Sequence, residues 1–122
     1  MAYNLLRPVA LFSSLSMATS QTSRAVEIKN QDNIGLQVTW AGAPTGAFSV
    51  QISSDHIEDI EGNIQVAGHW VTLPLSPAVT ASGTPDDAYI DLNQMSAQYV
   101  RLVYTAASGA GTMTALAVGK GV

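Results

Sequence analysis

Alternating apolar and polar residues recur through most of this chain from Ser23 onwards. Ile34, Leu36, Val38 and Trp40 alternate with small or polar residues, and a similar alternation follows at residues 48–52. Because successive side chains of a strand point to opposite faces, this period of two predicts strands with one buried face. Further strands are predicted at 25–28, 69–73, 88–92, 99–106 and 112–118.

Turn residues separate the predicted strands. Residues 42–46, Gly-Ala-Pro-Thr-Gly, are expected to close a hairpin between strands 34–40 and 48–52, and residues 108–111 form the last predicted hairpin loop. No segment shows a helical period of useful length. About seven or eight short strands separated by turns predict an all-β fold, an antiparallel β-sandwich of jelly-roll-like type. The strand order does not follow from the pattern.

Residues 1–22 have a different character. This Ser/Thr-rich segment carries apolar residues, including Leu5, Leu6, Leu11 and Phe12, that fit neither a helical nor a strand period. It is predicted to be an N-terminal arm, either a disordered or edge-lying leader or an extended arm that grips a neighbouring subunit. The predicted organisation is therefore an arm at 1–22 and a sandwich domain at 23–122.

Charge is scarce in this chain. Asp, Glu, Lys and Arg make up 11% of the residues, against roughly 25% in typical globular domains. Interface cores are depleted in charge, so this deficit favours a subunit that is covered by neighbours. A net charge of −4 opposes nucleic-acid binding, the chain contains no Cys, and nothing approaches the ~18 apolar residues that would span a membrane.

The acids gather in two places, at residues 55–61 and 86–91. Residues 55–63, Asp-His-Ile-Glu-Asp-Ile-Glu-Gly-Asn, could supply oxygen ligands to calcium, but their spacing does not match an EF-hand loop. The favoured interpretation is a solvated acidic loop whose Ile57 and Ile60 pack down onto the sandwich. No metal site is predicted, and calcium stays open as an alternative.

Catalytic chemistry has little support in the sequence. The two histidines, His56 and His69, do not lie in a recognisable nucleophile motif. Asp86 and Asp87 are typical of a turn, and Asp91 fits an outward strand position rather than a member of a carboxylate pair. The prediction is a protein that is not an enzyme and needs no cofactor, with a calcium-stabilised hydrolase as a weaker alternative.

Aromatic residues offer a second kind of candidate site. Tyr89 and Tyr99 are out of phase with their buried neighbours and would project outward beside one another if their strands pair. Together with Trp70 they could form either a subunit contact or a carbohydrate-binding platform. Trp40, in phase with Val38, is expected in the core.

Three ordered blocks of this sequence resemble small β-sandwich virion proteins of tailed bacteriophages, including head decoration or cement proteins. The resemblance covers roughly residues 20–121. The blocks lie at 32–53, at 69–77 with the sequence His-Trp-Val-Thr-Leu-Pro-Leu-Ser-Pro, and at 89–105 leading into Ser-Gly-Ala-Gly-Thr at 108–112.

The resemblance implies a non-enzymatic structural subunit that binds a phage shell in many copies and assembles into homo-oligomers. Its partners would be the major capsid protein or other virion subunits, and its location the virion, on the capsid surface, after synthesis in the host cytoplasm. The alternative is a carbohydrate- or receptor-binding module of a tail appendage. The residues predicted to make subunit contacts are Leu5, Leu6, Leu11, Phe12, Trp70, Tyr89 and Tyr99.

Overall fold

The computed structural model describes residues 5–28, 33–73, 75, 78–93 and 97–120, and the side chains at 8–28, 33–73, 75, 78–92 and 97–119. Within these ranges the regular structure is entirely β. None of the described residues forms a helix that could span a membrane.

Twelve strands are described, and most of them belong to two antiparallel sheets. The strands are β1 (Leu5–Ser16), β2 (Gln21–Thr22), β3 (Val26–Glu27), β4 (Asn33–Gly42), β5 (Thr45–Ser53), β6 (Ile57–Glu58), β7 (Ile64–Val66), β8 (Val71–Leu73), β9 (Val79–Ser82), β10 (Asp86–Asn93), β11 (Tyr99–Ser108) and β12 (Gly111–Lys120). Sheet A has the order β1-β12-β4-β10; sheet B has the order β2-β11-β5-β8, with β3 also pairing β11 and β9 also pairing β5. Strands β6 and β7 pair only with each other.

The connectivity is that of a jelly roll. β2 and β3 occupy one position beside β11, and β8 and β9 occupy one position beside β5, so each described sheet has four positions. The chain crosses repeatedly from one sheet to the other, from β1 to β2, from β4 to β5 and from β10 through β11 to β12. An eight-position double sheet of this kind is a jelly-roll-like sandwich, which confirms the predicted fold class.

Two predicted hairpins are instead crossovers between the sheets. β4 pairs with β12 and β10, whereas β5 pairs with β11, β8 and β9. The turn at residues 42–46 therefore carries the chain from sheet A to sheet B, and residues 108–111 carry it back. Alternation indicates which face of a strand is buried. It does not indicate whether the next strand along the chain pairs with it or lies in the opposite sheet, because both arrangements give the same pattern.

The core lies between the two sheets and follows the predicted alternation. Ile34, Leu36 and Val38 of β4 are fully buried, and Trp40 continues that face with 6% of its surface exposed. The Trp40 indole N–H donates to the carbonyl oxygen of Thr84 at 2.9 Å. The rings of Trp40, Phe48 and Tyr104 pack in series with centroid separations of 5.4 and 4.9 Å, so both sheets contribute to one aromatic centre.

The segment predicted as an N-terminal arm is part of the sandwich where it is described. β1 pairs along its length with β12, and Leu11 and Phe12 are buried in the chain's own core at 7% and 2% exposure. These two side chains stabilise the subunit itself, in contrast to the prediction that they contact a neighbour. The side chains of Leu5 and Leu6 lie outside the described ones.

Candidate functional site: a braced apolar hairpin and an uncharged sheet face

Residues 55–69, here called the projecting hairpin, form a two-stranded excursion from sheet B. Ile57 pairs with Val66, and Glu58 pairs with Ile64. The chain reverses between β6 and β7 through Gly62, which has a φ of 88°, a value that suits glycine. The sequence predicts a loop here, since strands of two and three residues are too short to show an alternation.

A single carboxylate organises the tip of the projecting hairpin. One oxygen of Asp59 accepts hydrogen bonds from the backbone N–H groups of Glu61 and Asn63, both at 2.9 Å. Its other oxygen accepts from the side-chain amide of Gln65 at 3.1 Å. The bonds from Asn63 and Glu61, chiefly that from the Asn63 N–H, lower the pKa of Asp59. The carboxylate is thus used to shape the turn.

Asp55 closes the base of the projecting hairpin. It accepts from the backbone N–H of His69 at 2.8 Å, lies 2.9 Å from that residue's Nδ1, and accepts from the Ser53 hydroxyl at 2.9 Å. The hydrogen bond from the His69 ring is the main cause that lowers the pKa of Asp55 to about 2, and the same bond raises the pKa of His69. The two ends of the excursion are therefore joined by one residue.

A buried cluster fixes the hairpin to the outer face of sheet B. His56 is 4% exposed, and its Nε2 lies 2.8 Å from a carboxylate oxygen of Glu58. Its ring meets Tyr99 edge-on at 5.0 Å and Trp70 at 5.1 Å. The Tyr99 hydroxyl donates to Glu27 at 3.1 Å and accepts from the backbone N–H of Glu58 at 3.2 Å.

Arg101 completes the same cluster from β11. Its guanidinium carbon lies 4.1 Å from the centre of the Trp70 ring, a cation–π geometry. Its Nε donates to the side-chain oxygen of Gln51 at 2.7 Å, and burial lowers the pKa of the guanidinium. One face of the Trp70 ring is therefore covered by the Arg101 guanidinium of the same chain.

The large apolar side chains of the projecting hairpin face solvent. Ile60 at the tip is 101% exposed, and Ile57, Ile64 and Val66 are 49%, 61% and 47% exposed. The expectation that Ile57 and Ile60 pack down onto the sandwich is therefore wrong. Polar residues of the hairpin are more buried than its isoleucines, since His56 is buried and Glu58 and Asp59 are partly buried.

A groove runs between the inner side of the projecting hairpin and the sandwich. It has a volume of about 430 Å³ and is lined on the hairpin side by Glu58, Glu61 and Ile64. Residues 23–25, Trp70 and Arg101 form the other wall. Both signs of charge line this groove.

The outer face of sheet A contrasts with the hairpin. The outward positions of β4 and β12 include Gln37, Thr39, Thr114 and Leu116. Across β1, β12 and β4, none of the described side chains is charged, and charge returns only on the edge strand β10. A Cβ atom at Gly35 would clash with the Tyr89 ring, which shows that this exposed ring lies across the glycine. Among the described side chains this surface is uncharged and is bordered by Asp87 and Asp91, while the side chains of Arg7 in β1 and Lys120 in β12 lie outside the described ones.

The three aromatic residues predicted to form a site do not all come together, since Tyr99 and Trp70 share the cluster around His56 and Tyr89 lies on the other sheet. Tyr89 is 58% exposed on sheet A, whereas Tyr99 is 4% exposed beneath the projecting hairpin on sheet B. Trp70 is half-buried beside Tyr99's neighbour Arg101. Tyr89 and Tyr99 both point outward, but from opposite faces of the molecule, so they do not form a shared platform for a sugar ring.

The described acids of residues 55–63, for which calcium is the open alternative, also diverge. Asp55 is bonded to His69, Glu58 to His56, and Asp59 to the hairpin turn. Over the described ranges, no group of three or more His, Cys, Asp or Glu side chains is placed to hold a metal ion. The Ser53 hydroxyl donates to Asp55 rather than to an imidazole.

The fold defines the class of protein: a jelly-roll-like β-sandwich. No protein-family model matches the chain, and no curated protein sequence matches it. Among solved structures it is similar to the SPBc2 prophage-derived protein YomS, with 10% identity, 98% of this chain and 96% of that chain covered, and a TM-score of 0.54. This likeness extends over nearly the whole of both chains and concerns the fold.

Two further solved structures from viruses are more distantly similar. One is infectious bursal disease virus Gx strain, with 8% identity over 96% of this chain and 32% of that chain, at a TM-score of 0.47. The other is the enzymatically active domain of bacteriophage CBA120 tailspike protein 4, with 14% identity over 84% and 13% of the two chains, at a TM-score of 0.42.

Proposed function

We propose that this chain is a non-enzymatic virion structural protein, a decoration or cement subunit that binds and stabilises a phage capsid. The observation that carries the proposal is the outer face formed by β1, β12 and β4, where none of the described side chains is charged. A protein that meets only water would place charge there, whereas the core of a protein interface is depleted in charge. The flanking Asp87 and Asp91 would form the polar rim of such a contact.

The fold supports the same function. Its likeness to a prophage-derived protein covers 98% of this chain, and the prophage origin of that protein favours a phage context. In the proposed role the chain assembles into homo-oligomers and contacts the major capsid protein or other virion subunits, after synthesis in the host cytoplasm. Because it binds the assembled shell and not separated coat subunits, mass action would favour the closed shell.

Electron microscopy of native particles tests the proposal. Particles labelled with gold-conjugated antibodies against this chain should carry label at regular positions over the capsid. Label confined to the tail would contradict the capsid assignment and favour the alternative, a carbohydrate- or receptor-binding module of a tail appendage. Particles without label would contradict both.

A charge placed in the uncharged face tests the surface itself. Thr114 and Thr39 are directly paired, exposed residues near the middle of sheet A. Thr114→Lys should weaken binding to particles stripped of this subunit by about tenfold or more, because the ammonium group would lose its water on docking. Co-sedimentation measures the binding. The control is Ala107→Lys, an exposed position on β11 of the other sheet, which should bind like the wild type; equal binding by both variants would contradict the role of this face.

A further inference from the structure

We propose that the projecting hairpin docks onto a protein partner other than a second copy of this chain, and that this partner presents an apolar cleft bordered by Lys and Arg. This docking role rests on the proposed function, in which the partner is a coat subunit. It adds a second contact region to the uncharged face of sheet A.

The projecting hairpin carries apolar side chains on the side away from the sandwich, although Ile64, paired with Glu58, lies on the inner side and lines the groove. Ile57 and Val66 are directly paired, so they lie on one side of the hairpin, and Glu58 points to the other side. Glu58 and its partner His56 face the sandwich, while Ile60 extends from the tip with its whole side chain exposed. Water is a poor environment for such a group, and exposed apolar patches of this kind mark interaction sites.

The hairpin is held in shape before it meets a partner. Asp59 fixes the turn, Asp55 joins the two ends, and the Tyr99 hydroxyl holds the backbone of Glu58. At Gly68 a Cβ atom would lie 2.5 Å from an Asp55 carboxylate oxygen and 2.7 Å from the Asp55 carbonyl carbon, so the two ends of the excursion pack in close contact. A preorganised element loses little conformational freedom on binding. The apolar tip is therefore presented in one fixed geometry.

The charge of the hairpin identifies the chemistry of the partner. Residues 55–69 contain four acids and no Lys or Arg. An acidic tip is repelled by nucleic-acid phosphates and by anionic lipid headgroups, so neither is the occupant. A protein cleft with basic residues around an apolar floor would pair with Glu61 at its rim and accept Ile60 at its centre.

Charge also argues against a second copy as the partner. Two hairpins placed against each other would bring like charges together. The guanidinium groups among the described side chains, Arg24 and Arg101, line the groove beneath the hairpin, and Arg101 is already stacked on Trp70. The same groove also contains Glu58 and Glu61, which would repel the acidic tip of another copy.

The experiment is co-sedimentation with particles stripped of this subunit. The double variant Ile57→Ser and Ile60→Ser should bind about tenfold or more weakly, with a melting temperature close to that of the wild type because Ile60 is fully exposed and Ile57 is half exposed. Glu61→Lys should also weaken binding and reduce its dependence on salt. The matched control is Val71→Ser, an apolar residue that is 62% exposed on β8, outside the hairpin; it should bind like the wild type.

Each outcome has a separate meaning. If the wild type binds and the double variant binds equally well, the docking role is overturned and the proposed function stands. If the wild type does not bind, the proposed function is overturned and the docking role with it. If sedimentation of the free protein shows self-association that the double variant abolishes, a second copy occupies the tip and the stated partner is overturned.

Discussion

The sandwich and the projecting hairpin use the same kinds of residue in opposite ways. In β4, Leu36 points into the core and is fully buried, while Gln37 and Thr39 face solvent. In the hairpin, Ile60 faces solvent while His56 is buried. Both regions are β-structure of one chain, so secondary structure does not account for the difference. Burial of apolar groups stabilises the sandwich, whereas hydrogen bonds to carboxylates give the hairpin its shape.

This contrast separates two kinds of consequence for a substitution. An apolar group in the sandwich contributes to the free energy of unfolding, because it leaves water on folding. An apolar group at the tip of the hairpin makes no such contribution, since it stays in water. An apolar side chain that stays in water without stabilising the fold is better explained by contact with another molecule.

The largest expected effect on stability comes from truncating one aliphatic side chain to Ala in each of the two regions. Leu36→Ala should lower the free energy of unfolding by about 2–5 kcal/mol, the range for removing a fully buried aliphatic side chain and leaving a cavity. Ile60→Ala should change it by less than about 0.5 kcal/mol. Chemical denaturation measures both. A cost for Ile60→Ala similar to that of Leu36→Ala would show that the hairpin tip packs against the chain and would end the contrast.

A smaller effect distinguishes two tyrosines of β11. Tyr99, under the hairpin, donates to Glu27 and accepts from the Glu58 N–H. Tyr104 is fully buried in the core, and no described group makes a hydrogen bond with its hydroxyl, whose pKa is raised by burial. Tyr99→Phe should cost about 1 kcal/mol, because it leaves the Glu58 N–H without its acceptor.

Tyr104→Phe is the matched change on the other face of the strand. It removes a buried hydroxyl that lacks a partner, so the free energy of unfolding should stay the same or rise. Thermal and chemical denaturation of both variants check the pair. If Tyr104→Phe destabilises the protein as much as Tyr99→Phe does, the core hydroxyl has a partner in solution and the difference between the two faces disappears.

The sequence predicted the long strands well. All five of β4, β5, β10, β11 and β12 were predicted as strands, and the alternation in β4 and β5 also identified their buried faces, because a strand in a sandwich has one face to bury. It could not assign strands to sheets. The turns at 42–46 and 108–111 have hairpin chemistry, but the strands on either side of each turn pair with strands distant in sequence.

Two regions were missed for physical reasons. β1 has register shifts against β12, and Ser14 has a positive φ of 48°, so its apolar residues do not keep a strand period. In the projecting hairpin the prediction failed at Ile57 and Ile60, since it assumed that apolar residues near a core pack onto it. The buried His56 and the bonds of Asp59 had no signal in the sequence beyond turn-forming residues.

The smallest expected effect concerns the base of the hairpin, where Asp55 meets His69. The folded pKa of Asp55 is lowered from 3.8 to about 2, so its contribution to stability is present above about pH 4 and is lost as the pH falls towards 2. The pKa of His69 is raised from 6.5, so its contribution is present below pH 6.5 and is lost as the pH rises through the higher folded value. The charged pair is therefore complete between these limits. Both side chains are exposed, so salt should weaken it.

Hydrogen exchange and a histidine titration test this base contact. Hairpin amides should exchange most slowly between about pH 4 and pH 6.5 after correction for the intrinsic rate, while the amides of β4 show no such dependence. In an NMR titration, Asp55→Asn should lower the pKa of His69 towards its usual value. The same substitution should abolish the pH dependence of exchange for the hairpin amides and leave the other amides unchanged. The control Glu61→Gln keeps Asp55 and should leave the His69 titration unchanged. An unaltered His69 pKa in Asp55→Asn would mean that other contacts hold the two ends of the hairpin together. The shape of the hairpin would then depend more on the sandwich than its polar bonds indicate.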